Sequence, residues 1–81
     1  MPPLPVISGA NLIRFLQRLG YSKLRQRGSH VRMVLRNDRG QWHETVPLHS
    51  EVHRGTLRSI LRNVNRATQI SHDELICMLN E

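Results

Sequence analysis

Apolar residues recur at helical spacing near both ends of the chain and alternate with polar ones between them. Leu12, Ile13, Leu16 and Leu19 fall on one stripe, which predicts a helix from Ala10 to Leu19 with Phe15 at its margin. Ser8 is placed to cap its start, and Gly20 to follow its end. Tyr21 to Arg27 reads as a first strand, with Leu24 inward and Lys23, Arg25 and Arg27 on the opposite face. After a Gly28-Ser29 turn, Val31, Met33 and Leu35 alternate with Arg32, Val34 and Arg36, the signature of a half-buried strand. Asn37 to Gly40 is a hairpin turn, and Trp42 to Val46 a third strand that Pro47 ends.

A loop from Leu48 to Arg54 leads to a second helix starting at Gly55-Thr56, with Leu57, Ile60, Leu61 and Val64 as its stripe and Arg58 and Arg62 outside. Asn65 to Gln69 reads as a linker. Ser71-His72-Asp73-Glu74 is a capping box that opens a last helix bearing Leu75, Ile76, Met78 and Leu79. Residues 1–7 hold three prolines and form an extended arm; residues 8–81 form a single domain. The order predicts an α+β fold: a three-stranded antiparallel sheet with helices on one face, α-β-β-β-α plus a C-terminal helix. This is the architecture of the double-stranded-RNA-binding domain, a statement about shape alone.

Charge narrows the partners. The 81 residues carry 12 Lys and Arg against 6 Asp and Glu, for a net charge of +6. All 12 cations lie in residues 1–70 with only Asp38, Glu44 and Glu51 against them, which leaves +9 there. Only Lys23 is a lysine; the other cations are arginines, which fork onto phosphates and stack on bases. This balance favours a polyanion or an acidic protein as partner. At this length a domain buries only about 60% of its unfolded surface, so the stability margin is thin. Cys77 is the single cysteine, so no internal disulfide forms, and its place in an apolar helix suggests packing. No apolar run is long enough for a membrane span, and the N-terminus lacks the features of a secretion signal. A cytoplasmic protein is expected.

The candidate chemistry lies with the histidines. An Asn37–Gly40 turn sets Arg36 opposite Gln41, and counting back sets His30 opposite Pro47. His49 then follows at the same end of the sheet, about 7 Å further on. Alternation places His30 on the face opposite Val31, Met33 and Leu35, in the company of Arg32, Arg36, His43 and Thr45. The same register turns Glu44 inward, which a bulge or a one-residue slip would relieve. RNA carries its own nucleophile, the 2′-hydroxyl. Cleavage by that route needs a base, an acid and positive charge at the phosphate, and imidazole titrates near neutral pH. One or two histidines with Arg25, Arg27 or Arg32 supply these without a metal. On the residues alone, His30 as a catalyst and His30 as a surface turn residue stand level, and His49 leans to a plain loop residue. His43, His53 and His72 read as solvated or capping groups. His49 and His53 are four apart, a metal-ligand spacing on a helix, but here they lie in a loop without companion ligands. Ser29 and His30 point apart as neighbours on a strand, which counts against a Ser-His nucleophile pair. Trp42 reads as a core or core-edge residue rather than a base-stacking one.

Several segments together resemble the HicA family of toxins, the ribonuclease halves of toxin–antitoxin pairs. They are Ser8-Gly9, Leu19-Gly20-Tyr21, Arg25 through His30, Thr45 through His49, and Gly55 through Leu61, spread over roughly Ile7 to Leu79. The resemblance implies a double-stranded-RNA-binding-like fold and a metal-independent mRNA interferase without a cofactor. It implies His30 of Gly28-Ser29-His30 as catalytic residue and carries the Pro-x-His position over onto His49; Ser29 is a further candidate for catalytic support. It also implies a HicB-type antitoxin that covers the active face. Arg25, Arg27, Arg32, Arg54 and Arg58 are the candidate RNA-binding residues. The chain departs from double-stranded-RNA readers in having Arg54 and Arg58, not a run of lysines, at the start of the second helix. A non-catalytic RNA-binding module is the alternative, and a protein whose basic face meets only an acidic partner a third reading.

Overall fold

The computed structural model describes residues 3–81, and its elements are α1 (Gly9–Arg18), β1 (Ser22–Arg27), β2 (His30–Asn37), β3 (Gly40–Pro47), α2 (Arg54–Thr68) and α3 (His72–Leu79). The strands form one antiparallel sheet in the order β1-β2-β3. The fold is therefore the expected α+β arrangement. Met1 and Pro2 of the expected arm lie outside the described residues, and residues 3–7 form neither helix nor strand. They are nonetheless tied down. The Val52 N–H donates to the Ile7 carbonyl at 2.8 Å, and Asn80 Nδ2 donates to the Pro3 carbonyl at 3.1 Å.

One side of the sheet makes the core. Val31, Met33 and Leu35 of β2 and Val46 of β3 pack with Leu12, Ile13 and Leu16 of α1 and with Leu57, Ile60, Leu61 and Val64 of α2. Leu75 and Ile76 of α3 close it. Ser8 and Ser71 cap α1 and α3 as expected, accepting from the N–H groups of Asn11 and Glu74 at 3.1 Å each. Phe15 is buried rather than marginal, so the α1 stripe is wider than the leucine spacing suggests. The expected linker from Asn65 is instead helix: Ala67 continues the buried stripe of α2 for another turn, and the helix stops at Gln69, where φ is 65°. Cys77 is exposed, not packed, because Leu75 and Ile76 take the inward side of α3.

The largest departure is in β1. Lys23 pairs with Met33 and Arg25 with Arg32, so Leu24 is an extra residue without a cross-strand partner, a β-bulge. Leu24 is 45% exposed, not inward. The bulge also separates cations that plain alternation puts on one face. Lys23 shares the face of Met33, whereas Arg25 and Arg27 pair with Arg32 and His30 and share theirs. Sequence spacing does not reveal the insertion, since a bulge shifts parity without altering composition.

Two local features hold the sheet to the helices. At one end, Gly9 at the start of α1 lies against the β3 terminus: a Cβ there would sit 2.0 Å from the Pro47 carbonyl oxygen and 2.9 Å from the Leu48 Cα. Its N–H donates to the His49 carbonyl at 2.9 Å. At the other end, Asn37 Nδ2 donates to the Ala67 carbonyl at 3.0 Å, and the Arg39 guanidinium donates to the carbonyls of Arg66 and Ala67. These are the last carbonyls of α2, which a cation satisfies well. Trp42 is half-buried against the core, with its Nε1 donating to Asn37 Oδ1 at 3.2 Å.

The register of β2 and β3 holds without slip, so Glu44 stays opposite Met33 and is buried beneath the sheet. Asn63 Nδ2 of α2 donates to its Oε1 at 3.4 Å. Burial pushes the Glu44 carboxyl up to about 7, the Asn63 bond opposing only part of that shift. Tyr21 is pushed up to about 12 by burial and by the Glu44 charge, and its hydroxyl is buried without a hydrogen-bond partner.

Two predictions follow from these contacts. Gly9→Ala forces two backbones apart and should cost on the order of 2 kcal/mol. That lowers the thermal midpoint by roughly 10 °C at this chain length; an unchanged midpoint refutes the close approach. Glu44 binds its proton more tightly folded than unfolded, so its contribution is full below about pH 4.5 and is lost as pH rises through about 7. Glu44→Gln should remove a pH dependence on the order of 1–3 kcal/mol between those limits, read as denaturant midpoints of variant and wild type at pH 5 and pH 8. Parallel pH profiles would contradict it.

Candidate functional site

The Gly28-Ser29 turn decides where His30 sits. Gly28 has φ +57°, a conformation that a two-residue hairpin loop with glycine first requires and that other residues adopt at a cost. Gln26 Nε2 braces it by donating to the Gly28 carbonyl at 3.0 Å. His30 is then the first residue of β2, paired with Arg27 on one side and Pro47 on the other. The sheet continues one step past Pro47: the Leu48 N–H donates to the Ser29 carbonyl at 2.6 Å. This bond holds the Pro47-Leu48-His49 segment beside the turn.

The face of the sheet away from the helices carries His30, Arg32, Val34 and Arg36 from β2. Arg25 and Arg27 flank them from β1, and Gln41, His43 and Thr45 from β3. Arg25, Arg27, His30, Arg32 and Thr45 line one shallow depression of about 180 Å³. Arg25 stands directly opposite Arg32, and Arg27 opposite His30. Like charges facing each other across a ladder are destabilising, and no carboxylate lines the depression. Three guanidiniums and an imidazole thus converge on an open space with no protein anion to neutralise them. Only donors come from the arginines, while Thr45 adds a hydroxyl that both donates and accepts.

The structure brings Arg25, Arg27, Arg32 and His30 together and leaves the other candidates apart. Ser29, His49, Arg54 and Arg58 do not line the depression. His49 is exposed, and its carbonyl is engaged by α1. Arg54 opens α2 and donates through Nη1 to the Leu4 carbonyl at 3.4 Å. Arg58 is exposed on the same helix. His53 precedes α2 without a side-chain capping bond, and no group of three or more His, Cys, Asp or Glu able to hold a metal forms among the described residues. Thr45 is the lining residue that sequence reasoning did not count among the site residues. Its register opposite Arg32 follows from the same hairpin count that places His30, which is the signal that marks it.

A larger depression, about 540 Å³, lies at the hairpin end against Leu35, Arg39, Ala67 and Ile70. Its arginine is already committed to the α2 carbonyls, and no histidine lines it. Among the described residues no helix is long and apolar enough to cross a membrane.

Comparison with curated proteins and with solved structures finds no match. The family model for the HicA toxin of bacterial toxin–antitoxin systems matches residues 9–65, a span that runs from the first residue of α1 through the sheet and into α2 and contains all five residues lining the basic depression. With most of its length covered, this chain belongs to the HicA toxin family.

Proposed function

We propose that the chain is a metal-independent endoribonuclease that cleaves mRNA, with His30 as its acid–base residue. The carrying observation is the depression itself: an imidazole set among three arginines with no carboxylate to neutralise them. A phosphodiester supplies the missing negative charge. In this reading Arg25, Arg27 and Arg32 bind the scissile phosphate and stabilise the extra charge that builds on its oxygens when the 2′-oxygen attacks. His30 moves one proton, either from the attacking 2′-hydroxyl or to the departing 5′-oxygen, and water exchanges the other. The attack forms a 2′,3′-cyclic phosphate on one fragment and leaves a 5′-hydroxyl on the other. Thr45 orients a non-bridging oxygen. His49 and Ser29 act at most through the backbone that fixes the turn, and Arg54 and Arg58 contact RNA outside the depression.

Membership of a toxin–antitoxin family supports an antitoxin as protein partner. A HicB-type protein that presents carboxylates to the arginine face would block the site by occupying the phosphate position. The setting of such a reaction is the cytoplasm, where mRNA is available.

The test is incubation of the purified protein with a long single-stranded RNA in excess EDTA. Wild type should yield fragments, and His30→Ala should be slower by at least about 100-fold, with an unchanged circular dichroism spectrum and loss of toxicity in cells. A folded His30→Ala protein that still cleaves would refute the assignment. RNA bound but uncleaved by the wild type would favour a binding module.

A further inference from the structure

The basic face extends well past the depression. From His30 to Arg36 the outward positions of β2 are His30, Arg32, Val34 and Arg36, about 7 Å apart and about 20 Å in all. Arg36 lines no part of the depression, yet it is exposed on the same face. Between the two arginines the row of charge is broken once. Val34 is 2% exposed although it lies on the side away from the helices, and it is not part of the core cluster. Its cross-strand neighbours are Ser22 and the exposed His43. No Asp or Glu occupies the outward side of any of the three strands, since Glu44 points to the core.

We infer that this face is a track for single-stranded RNA running along β2, in which Arg36 and His43 form a second nucleotide subsite beside the cleavage depression. The direction of the track rests on the ribonuclease reading, which sets one phosphate at Arg25, Arg27 and Arg32. Arg36 then takes a neighbouring phosphate. Between the two arginines Val34 is covered, and the exposed side chain at that level of the sheet is its β3 partner His43. The His43 imidazole offers a flat ring on which a base can stack. Only an unpaired strand can deliver a base there. In a duplex the bases are stacked inside and the narrow major groove admits no side chains. The face is a plain strand surface with no protruding element to enter a groove.

The experiment measures binding separately from cleavage. The probe is a fluorescent, 2′-O-methylated RNA of about eight nucleotides, a length within the site sizes of single-strand-binding folds. It is used as a single strand and annealed to its complement, over a range of salt. Wild type should prefer the single strand by about tenfold or more. Arg36→Gln should weaken that binding about tenfold and reduce the slope of log affinity against log salt by about 0.7, the value for one lost phosphate contact on a single strand. His43→Ala should weaken binding severalfold with the slope unchanged. Arg62→Gln, an exposed arginine on α2, should match wild type. Equal binding of the duplex overturns the inference, as does Arg36→Gln behaving like Arg62→Gln. A wild type that binds as described but cleaves nothing refutes the catalytic reading and leaves the track standing.

Discussion

The contact of Gly9 with the Pro47–Leu48 backbone is the constraint on which the geometry of this molecule turns. It is a main-chain approach that no side chain permits. Around it, three backbone bonds join segments far apart in sequence: Gly9 to His49, Val52 to Ile7, and Leu48 to Ser29. Together they lock the start of α1, the end of β3 and the β1–β2 turn into one unit. His30 lies at the edge of that unit. Its position is therefore set by covalent geometry and main-chain hydrogen bonds rather than by the packing of its own side chain.

The two faces of the sheet handle charge in opposite ways. Beneath it, one carboxyl is buried and leans toward its neutral form, with an unpartnered tyrosine hydroxyl nearby. Above it, arginines face each other without counter-charge. Both arrangements cost stability in a domain with little to spare. The outer one has a chemical rationale, because unneutralised cations in a fixed array are preorganised for an anion. The Gly28-Ser29 turn sets that array, since it fixes Arg27 opposite His30 and Arg25 opposite Arg32. The bulge at Leu24 lies beyond these pairs and turns Lys23 to the other face. For the buried Glu44 the bond from Asn63 is the visible compensation.

Much of this was legible in the chain. Leucine and isoleucine spacing marks α1 and α2, and the alternation of Val31, Met33 and Leu35 marks β2. The Asn37–Gly40 turn gives the whole β2–β3 register, including His30 opposite Pro47 and Glu44 inward. What failed did so for identifiable reasons. The Asn65–Thr68 stretch looks like a linker because Asn65 and Thr68 are weak helix formers, and the burial of Ala67 by tertiary contacts decides the matter. Leu24 looks like a core residue because a bulge leaves no compositional trace. Arg54 and Arg58 lie on α2 outside the depression, and their contact with RNA is a separate proposal.

By itself the sequence determined the elements, the class of fold, the basic character of one sheet face and the place of His30 on it. Hydrophobic periodicity and turn chemistry act over a few residues, and those few residues are written next to each other. Only the tertiary structure decided that Lys23 leaves the face of His30, because its parity depends on where one unpaired residue is inserted against β2. It alone also showed Val34 as a buried break in the charged row and Gly9 as the point where two backbones touch. Each of these depends on the distance between segments separated in sequence, which is fixed when the core closes.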